Sequence, residues 1–163
     1  MAAGNTYVAL ATNTLSSAAA SVTFSSISGA YTDLVLVFTA SAALSNTYSV
    51  QLRFNSDSGS NYSDTRVYGN GTTATSNRDS SQTEMYPTNI TGTIGTFTNQ
   101  IMNYSNTTTY KTILTRGVSA DYAAWANVGL WRSTAAITSI YLNVSGGNFA
   151  SGSTFQLFGI AAA

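Results

Sequence analysis

Short strand patterns separated by turns are the feature that most limits how this chain can fold. Residues 48–55 alternate strictly between apolar and polar side chains, which predicts a strand with one apolar face. Residues 34–38 read Leu-Val-Leu-Val-Phe, and such a short apolar run predicts a central strand buried on both faces. Residues 137–144 and 155–160 predict two further strands near the C-terminus. Six other segments have weaker strand character: residues 7–12, 21–27, 65–68, 96–104, 108–118 and 125–131.

Glycine and asparagine mark the turns at residues 57–61, 69–71 and 145–148, because both tolerate the positive φ of hairpin turns. The polar stretch 69–83 predicts a long loop. The alanine-rich stretches 16–20 and 120–126 predict at most a helical turn or two. We therefore expect an all-β fold, an antiparallel, jelly-roll-like β-sandwich of about 9–11 short strands. A closed barrel is the alternative.

The length of the chain fits one domain spanning residues 1–163, with residues 1–5 and 161–163 as peripheral tails. A chain of this length buries about 70% of its unfolded surface, so its core needs neither a disulfide nor a metal. The sequence contains no cysteine, which excludes thiolate chemistry. The N-terminus has neither the basic region nor the apolar run of an ordinary signal peptide.

Charge is scarce, at 7% of residues against about 25% in a typical soluble domain. Six basic residues balance six acidic ones. Because there is no basic stripe or polybasic cluster, we expect no nucleic-acid partner and no membrane partner. A hydrophobic content of 44% is ample for a core and argues against disorder.

The residue types also argue against an enzyme. The chain has no histidine and no cysteine, which excludes serine–histidine triads and cysteine–histidine pairs. A glycosidase needs two carboxylates, but the six acids show no supporting pattern: Asp33, Asp57, Asp64, Asp79, Glu84 and Asp121. We expect no catalytic residue and no cofactor.

Calcium is the one metal that the sequence raises. Asp57, Asn61 and Asp64 supply oxygen ligands around a glycine-containing loop, and calcium prefers oxygen ligands. Hydrogen bonds from Asp57 and Asn61 to their own turn explain the pattern better, so we expect no metal.

Three aromatic residues are candidate contacts with another subunit or with a glycan: Tyr122, Trp125 and Trp131. The tryptophans are six residues apart, so in one continuous strand both would lie on the same face. Exposed aromatic rings can stack on sugars or fill an interface. The alternative is that one or both tryptophans fill the core. Met85 and Met102 are further candidates for a subunit contact, on residue type alone.

Several segments resemble a group of phage virion domains with a β-sandwich fold. They are residues 50–63 (VQLRFNSDSGSNYS), 66–71 (RVYGNG), 137–142 (ITSIYL), 147–150 (GNFA) and 152–160 (GSTFQLFGI). The resemblance spans about Tyr7 to Ile160. Members of this group are trimeric capsid cement (decoration) proteins of tailed phages, including cyanophages, and related domains lie at the distal ends of tail spikes and fibres. The shared motifs are structural, so no functional residue follows from them.

The resemblance implies a capsid decoration protein that stabilises the outer shell as a homotrimer. Its partners would be its own copies and the major capsid protein, on the outer capsid surface of a virion. The alternative is a receptor- or carbohydrate-binding domain of a tail fibre or spike, with a host surface glycan as its partner. The sequence shows no shaft, coiled coil or repeat, which favours the free-standing decoration protein.

Overall fold

The computed structural model describes residues 6–119 and 121–161, and within these ranges the chain forms twelve β-strands and no helix. The all-β prediction is confirmed, with twelve strands rather than nine to eleven. The strands are β1 (Tyr7–Thr14), β2 (Ser21–Phe24), β3 (Asp33–Ala40), β4 (Tyr48–Phe54), β5 (Tyr62–Gly69), β6 (Ala74–Gln82), β7 (Met85–Ile90), β8 (Gly95–Met102), β9 (Lys111–Ser119), β10 (Ala123–Trp131), β11 (Ile140–Val144) and β12 (Thr154–Ile160).

The strands form two antiparallel sheets. The large sheet has the order β1-β12-β3-β8-β9-β10-β5-β6, and the small sheet has the order β2-β11-β4-β7. The pairs β1–β12, β2–β11, β3–β8 and β4–β7 are nested in sequence and alternate between the large and the small sheet. This nesting, in which the chain doubles back on itself as one long hairpin, makes the sandwich jelly-roll-like.

Aromatic and aliphatic side chains fill the space between the sheets. The ring of Phe38 on β3 lies 4.9 Å from Phe97 and 5.7 Å from Phe155, measured between centroids. Leu52 and Phe54 of β4 belong to the same buried cluster. In the predicted central strand β3, Leu34, Val35 and Leu36 are buried but Val37 is only half-buried, so both faces are covered only near its start.

Two strands were missed from the sequence, and both are edge strands. The predicted loop 69–83 is wrong, because only a short turn separates β5 from the paired strand β6. The Asn70 Oδ1 closes this turn by accepting from the backbone N–H groups of Thr72 and Thr73. Strand β6 contains no apolar residue after Ala74, so it gives no hydrophobic alternation. Strand β7 contains Pro87, which an edge strand of a sheet tolerates.

Other predicted boundaries also need correction. The stretch 16–20 is not helical, and Ala123 to Ala126 belong to β10. Of the predicted tails, Ala161 donates its N–H to the Thr6 carbonyl, whereas residues 1–5, 162 and 163 lie outside the described ranges. In the described part of the chain, no helix is long and apolar enough to cross a membrane.

Candidate functional site

A polar cleft lies where the large sheet extends past the small one. Strand β7, the edge of the four-stranded sheet, packs mainly against β8, β9, β10 and β5 of the large sheet, and β6 lies beyond them at the edge of that sheet. We call the part of β5 and β6 that borders the cleft the overhang. The cleft between β7 and this overhang has a volume of about 370 Å³. The large sheet contributes Arg66, Tyr68, Asn77, Asp79, Gln82 and Trp125 to its lining. Strands β4 and β7 contribute Ser49, Tyr86, Thr88 and Asn89.

The register of the β5–β6 hairpin sets the charges of the cleft. Asp64 pairs with Asp79, and Arg66 pairs with Asn77. Because alternate residues of a strand share a face, the side chains of Asp64, Arg66 and Tyr68 all point to the inner side of the sheet. Two carboxylates placed opposite each other repel, so the cation between them is needed for this register.

Arg66 is held on three sides. Its Nη1 donates to Asp64 Oδ1 at 2.8 Å, and its Nη2 donates to Asp79 Oδ2 at 2.5 Å. Its Cζ lies 5.9 Å from the centroid of the Tyr86 ring, which is within the range of a cation–π interaction. The guanidinium therefore has little freedom to reorient when the cleft is occupied.

Asp64 is the buried anchor of this arrangement. Its side chain is fully buried, and burial raises the pKa of its carboxyl, while the neighbouring Arg66 guanidinium lowers it. Within the described residues, its Oδ2 has no hydrogen-bond partner. Burial is the larger effect, so the Asp64 pKa is raised above its usual value, and the Arg66 ion pair offsets part of the cost of burying this carboxylate.

Two contacts fix β7 against β10. The Asn127 Nδ2 donates to the Tyr86 carbonyl at 2.6 Å. Gly129 lies under Met85, and a Cβ at this glycine would come within 1.9 Å of the Met85 Sδ. Glycine thus allows the close approach that places Tyr86 beside Arg66. Met85 itself is buried, which removes it as a candidate for a subunit contact.

The structure separates the three aromatic residues that the sequence singled out. Trp125 is 6% exposed and lines the cleft, where its ring lies 6.2 Å from that of Tyr68. Tyr122 packs against Trp125 at 5.4 Å but lies outside the cleft lining. Trp131 is 2% exposed and packs between Phe54 and Tyr62. Both tryptophans therefore belong to the core, as the alternative interpretation held, and only Trp125 also borders the cleft.

Asp57 and Asn61 form the turn that the sequence favoured. The Asp57 Oδ1 accepts from the Gly59 N–H at 2.8 Å, and its Oδ2 accepts from Asn61 Nδ2 and from the Trp131 indole at 2.9 and 2.7 Å. Burial alone would raise the pKa of Asp57, but these hydrogen bonds outweigh it and hold the pKa below its usual value. Asp64 is bound elsewhere, to Arg66. Across residues 6–119 and 121–161, no three acidic side chains gather into a metal-binding group.

Sequence reasoning missed Arg66, Asp79 and Tyr86 as site residues. The only signal was the charge pattern on either side of the turn at residues 69–71, with Asp64 and Arg66 before it and Arg78 and Asp79 after it. Folded as a hairpin, that pattern places Asp79 directly opposite Asp64 and diagonally opposite Arg66, within reach of an ion pair with the arginine. It is meaningful only once residues 74–82 are recognised as a strand.

No family model matches the sequence. The curated protein sequences contain no match either.

Three solved structures are distantly similar to the fold. An exo-inulinase from Aspergillus awamori is 11% identical with a TM-score of 0.45, and the match covers 96% of this chain but 29% of that one. The galectin LEC-6 of Caenorhabditis elegans is 11% identical with a TM-score of 0.35, covering 93% and 96% of the two chains. A SAP-like pentraxin from Limulus polyphemus is 11% identical with a TM-score of 0.25, covering 80% and 67%. At these TM-scores, no functional conclusion follows from the similarity. The class that the fold and the cleft define is a jelly-roll-like β-sandwich domain with a polar cleft at one edge.

Proposed function

We propose that the protein is a non-catalytic binding domain whose cleft takes a carbohydrate. The observation that carries this proposal is the composition of the cleft, which combines amide, hydroxyl, carboxylate and guanidinium groups with the rings of Tyr68, Tyr86 and Trp125. A sugar presents hydroxyl groups that need both donors and acceptors, and an apolar face that packs on aromatic rings. The volume of about 370 Å³ lies within the range of small-ligand sites.

The polar side chains of the cleft are held in place by hydrogen bonds but keep further donors and acceptors for a ligand. Asp79 binds Arg66 through Oδ2, which leaves Oδ1 as an acceptor. The Asn89 Oδ1 accepts from the Ser49 hydroxyl at 2.9 Å, which leaves the Asn89 Nδ2 as a donor. Groups that are already fixed lose little conformational entropy when a ligand binds.

The carboxylates of the cleft are poorly arranged for glycoside hydrolysis. That reaction needs two carboxyl groups flanking the bond to be cleaved. Asp64 is absent from the lining, and Asp64 and Asp79 are both occupied by the same guanidinium. Their roles in the site are therefore charge balance and hydrogen bonding.

A glycan array probed with the full chain tests the proposal, followed by calorimetry with any sugar that binds. We expect Tyr86→Ala to weaken binding about tenfold, or ~1.4 kcal/mol, because Tyr86 lines the cleft and fixes Arg66. Tyr110→Ala is the matched control, because Tyr110 is 55% exposed and lies outside the cleft. Gln82→Ala is a second cleft variant with no aromatic packing to lose. An array without a single binding glycan, or equal losses for Tyr86→Ala and Tyr110→Ala, would contradict the proposal.

A second function, capsid decoration, is supported by the outer face of the large sheet together with the resemblance to phage virion domains. On β5, β9 and β10 this face exposes Val67, Leu114, Val118 and Val128, each between 42% and 55% exposed. Leu114 lies directly opposite Val128, and Val67 lies opposite Ala126, so the apolar groups adjoin one another along β10, with the exposed Arg116 of β9 beside them. Contiguous exposed apolar surface is typical of protein interfaces. The proposed assembly is a homotrimer on the outer capsid surface, in contact with the major capsid protein.

Co-sedimentation with phage capsids and light scattering test this second function. Val128→Glu places a charge within the apolar face and should abolish capsid binding and trimer formation. Ser60→Glu introduces the same charge in an exposed turn and should leave both unchanged. Mass spectrometry of intact virions should find a fixed ratio to the major capsid protein. A monomeric protein that does not sediment with capsids would contradict the decoration role.

A further inference from the structure

The charged side chains around the cleft carry a net negative charge. Of the six basic residues, only Arg66 lines the cleft. Two carboxylates face it, Asp79 in the lining and Asp64 directly behind. The formal charge of this cluster is therefore −1, from one cation and two anions.

None of the other five cations lines the cleft. Arg116 follows the buried Thr115 on β9 and is exposed on the outer face of the sheet, and Arg132 donates to the Ser63 hydroxyl. Arg53 donates two hydrogen bonds to Glu84 Oε2 and is thereby neutralised. Arg78 follows Asn77 on β6, and successive side chains of a strand point to opposite faces, so its side chain leaves from the outer side of the overhang. Lys111 is fully buried and donates to the carbonyls of Thr109 and Thr134.

We propose that the cleft selects neutral saccharides and rejects those that carry a carboxylate, sulfate or phosphate. This inference rests on the proposed carbohydrate-binding function and names the class of ligand. Recognition of an anion uses a guanidinium that can offer two parallel N–H donors. Both terminal nitrogens of Arg66 already donate to carboxylates. An anionic ligand would have to displace Asp79 from Arg66 while remaining beside it.

We expect Asp79→Asn to shift the preference of the cleft from neutral toward anionic saccharides. The substitution removes one negative charge and weakens the hold on the Arg66 Nη2. We expect the affinity for anionic saccharides to rise at least tenfold over the unmodified protein, while the neutral ligand loses less than it would by removal of Tyr86. Asp79 is on the edge strand β6 with 31% of its side chain exposed, so the fold should tolerate the change. Asp79→Ser is a second variant that, like Asp79→Asn, replaces the carboxylate with a neutral side chain.

Asp33→Asn is the matched control for charge. Asp33 belongs to β3, and four strands (β8, β9, β10 and β5) separate β3 from β6 in the sheet. The control removes the same single charge far from the cleft. It should leave the preference for neutral saccharides unchanged.

The experiment is a glycan array printed with neutral, sialylated, uronic-acid and sulfated glycans, followed by calorimetry of matched neutral and acidic oligosaccharides at low and physiological salt. Binding of neutral glycans that is insensitive to salt, together with new binding of acidic glycans by Asp79→Asn but not by Asp33→Asn, is the expected result. Preference of the unmodified protein for acidic glycans would overturn the inference and leave the proposed function standing. Binding to no glycan of either class would overturn the proposed function as well.

Discussion

The covered and the overhanging parts of the large sheet follow the same alternation but carry opposite chemistry. Under the small sheet, the inward side chains include Phe38, Phe97 and Phe155, all fully buried. In the overhang, the inward positions hold Arg66, Asn77 and Asp79. The backbone geometry is the same in both parts. The small sheet covers the first part completely, whereas the second part borders the open cleft and carries polar and charged side chains.

This difference assigns stability and binding to separate parts of one sheet. Burial of apolar surface stabilises the covered part, whereas strand pairing and one shared guanidinium hold the overhang in place. Binding groups can therefore be placed in the overhang at little cost to the core. The four predictions that follow test this division, beginning with the largest effect.

Loss of an aromatic ring from the covered part should be the most damaging change. Phe38→Ala should lower the free energy of unfolding by about 3–5 kcal/mol, the range for a buried phenylalanine truncated to alanine. Leu114→Ala, on the outer face, should change it by less than about 0.5 kcal/mol. Denaturant unfolding followed by fluorescence measures both. A cost for Phe38→Ala below that of Leu114→Ala would refute the assignment of the core.

Breaking the ion pair of the overhang should come next. Arg66→Gln leaves the Asp64 carboxylate buried without its partner, a kind of change that costs about 3–5 kcal/mol at fully buried pairs. Because the Arg66 side chain is 20% exposed, we expect the lower end, about 3 kcal/mol. Adding Asp64→Asn to the same chain should restore part of the loss, measured as the coupling energy of a double-mutant cycle. Additive losses would mean that the pair does not hold the overhang.

The turn that binds Trp131 should give a pH-dependent contribution. The Asp57 pKa is lowered in the folded state, so this carboxylate stabilises the fold above its unfolded pKa of about 3.9. That contribution is lost as the pH falls through the lower native pKa. Asp57→Asn should cost about 2 kcal/mol at pH 7, because it weakens hydrogen bonds to a charged acceptor.

Unfolding curves recorded from pH 7 down to about pH 2 check the sign of this effect. The gap in stability between the unmodified chain and Asp57→Asn should narrow only below pH ~4. A gap that widens as the pH falls would show that the native pKa of Asp57 is raised.

A polar residue of the overhang should matter least for folding. Asn77→Ala should change the unfolding free energy by less than about 0.5 kcal/mol, as for most exposed positions. It should nevertheless weaken saccharide binding severalfold, since Asn77 lines the cleft. Chemical denaturation and calorimetry on the same sample separate the two effects. A large loss of stability without a loss of affinity would reverse the proposed roles of the two regions.

The sequence predicted the fold to the extent that burial leaves a pattern. The alternation of residues 48–55 and the apolar run 34–38 lie in β4 and β3, where one or both faces are covered. Strand β6 was not predicted, because nearly all of its residues are exposed to water. Its composition therefore shows no apolar pattern that would mark a buried face. The alanine-rich stretch 120–126 suggested a helical turn, but pairing with β5 and β9 overrides that local tendency in Ala123 to Ala126.

The candidate site was less predictable than the fold, because it is assembled by register. Asp64 and Asp79 are distant in sequence and come together only through the β5–β6 pairing. Trp125 was a candidate from the sequence, but its same-face partner Trp131 lies in the core with Phe54 and Tyr62. Residue type identified the aromatic candidates, and the overhang of one sheet past another decided which of them borders the cleft.

The indole N–H signals of the two tryptophans offer the most direct test that the overhang cleft takes a carbohydrate. Trp125 borders the cleft, whereas Trp131 packs in the core and donates its indole N–H to Asp57 of the turn, so the second signal serves as an internal control. Titration with a neutral oligosaccharide, followed by two-dimensional NMR, should move the Trp125 signal and leave that of Trp131 in place. If neither signal moves while the sugar binds, or if both move equally, the cleft is not the binding site.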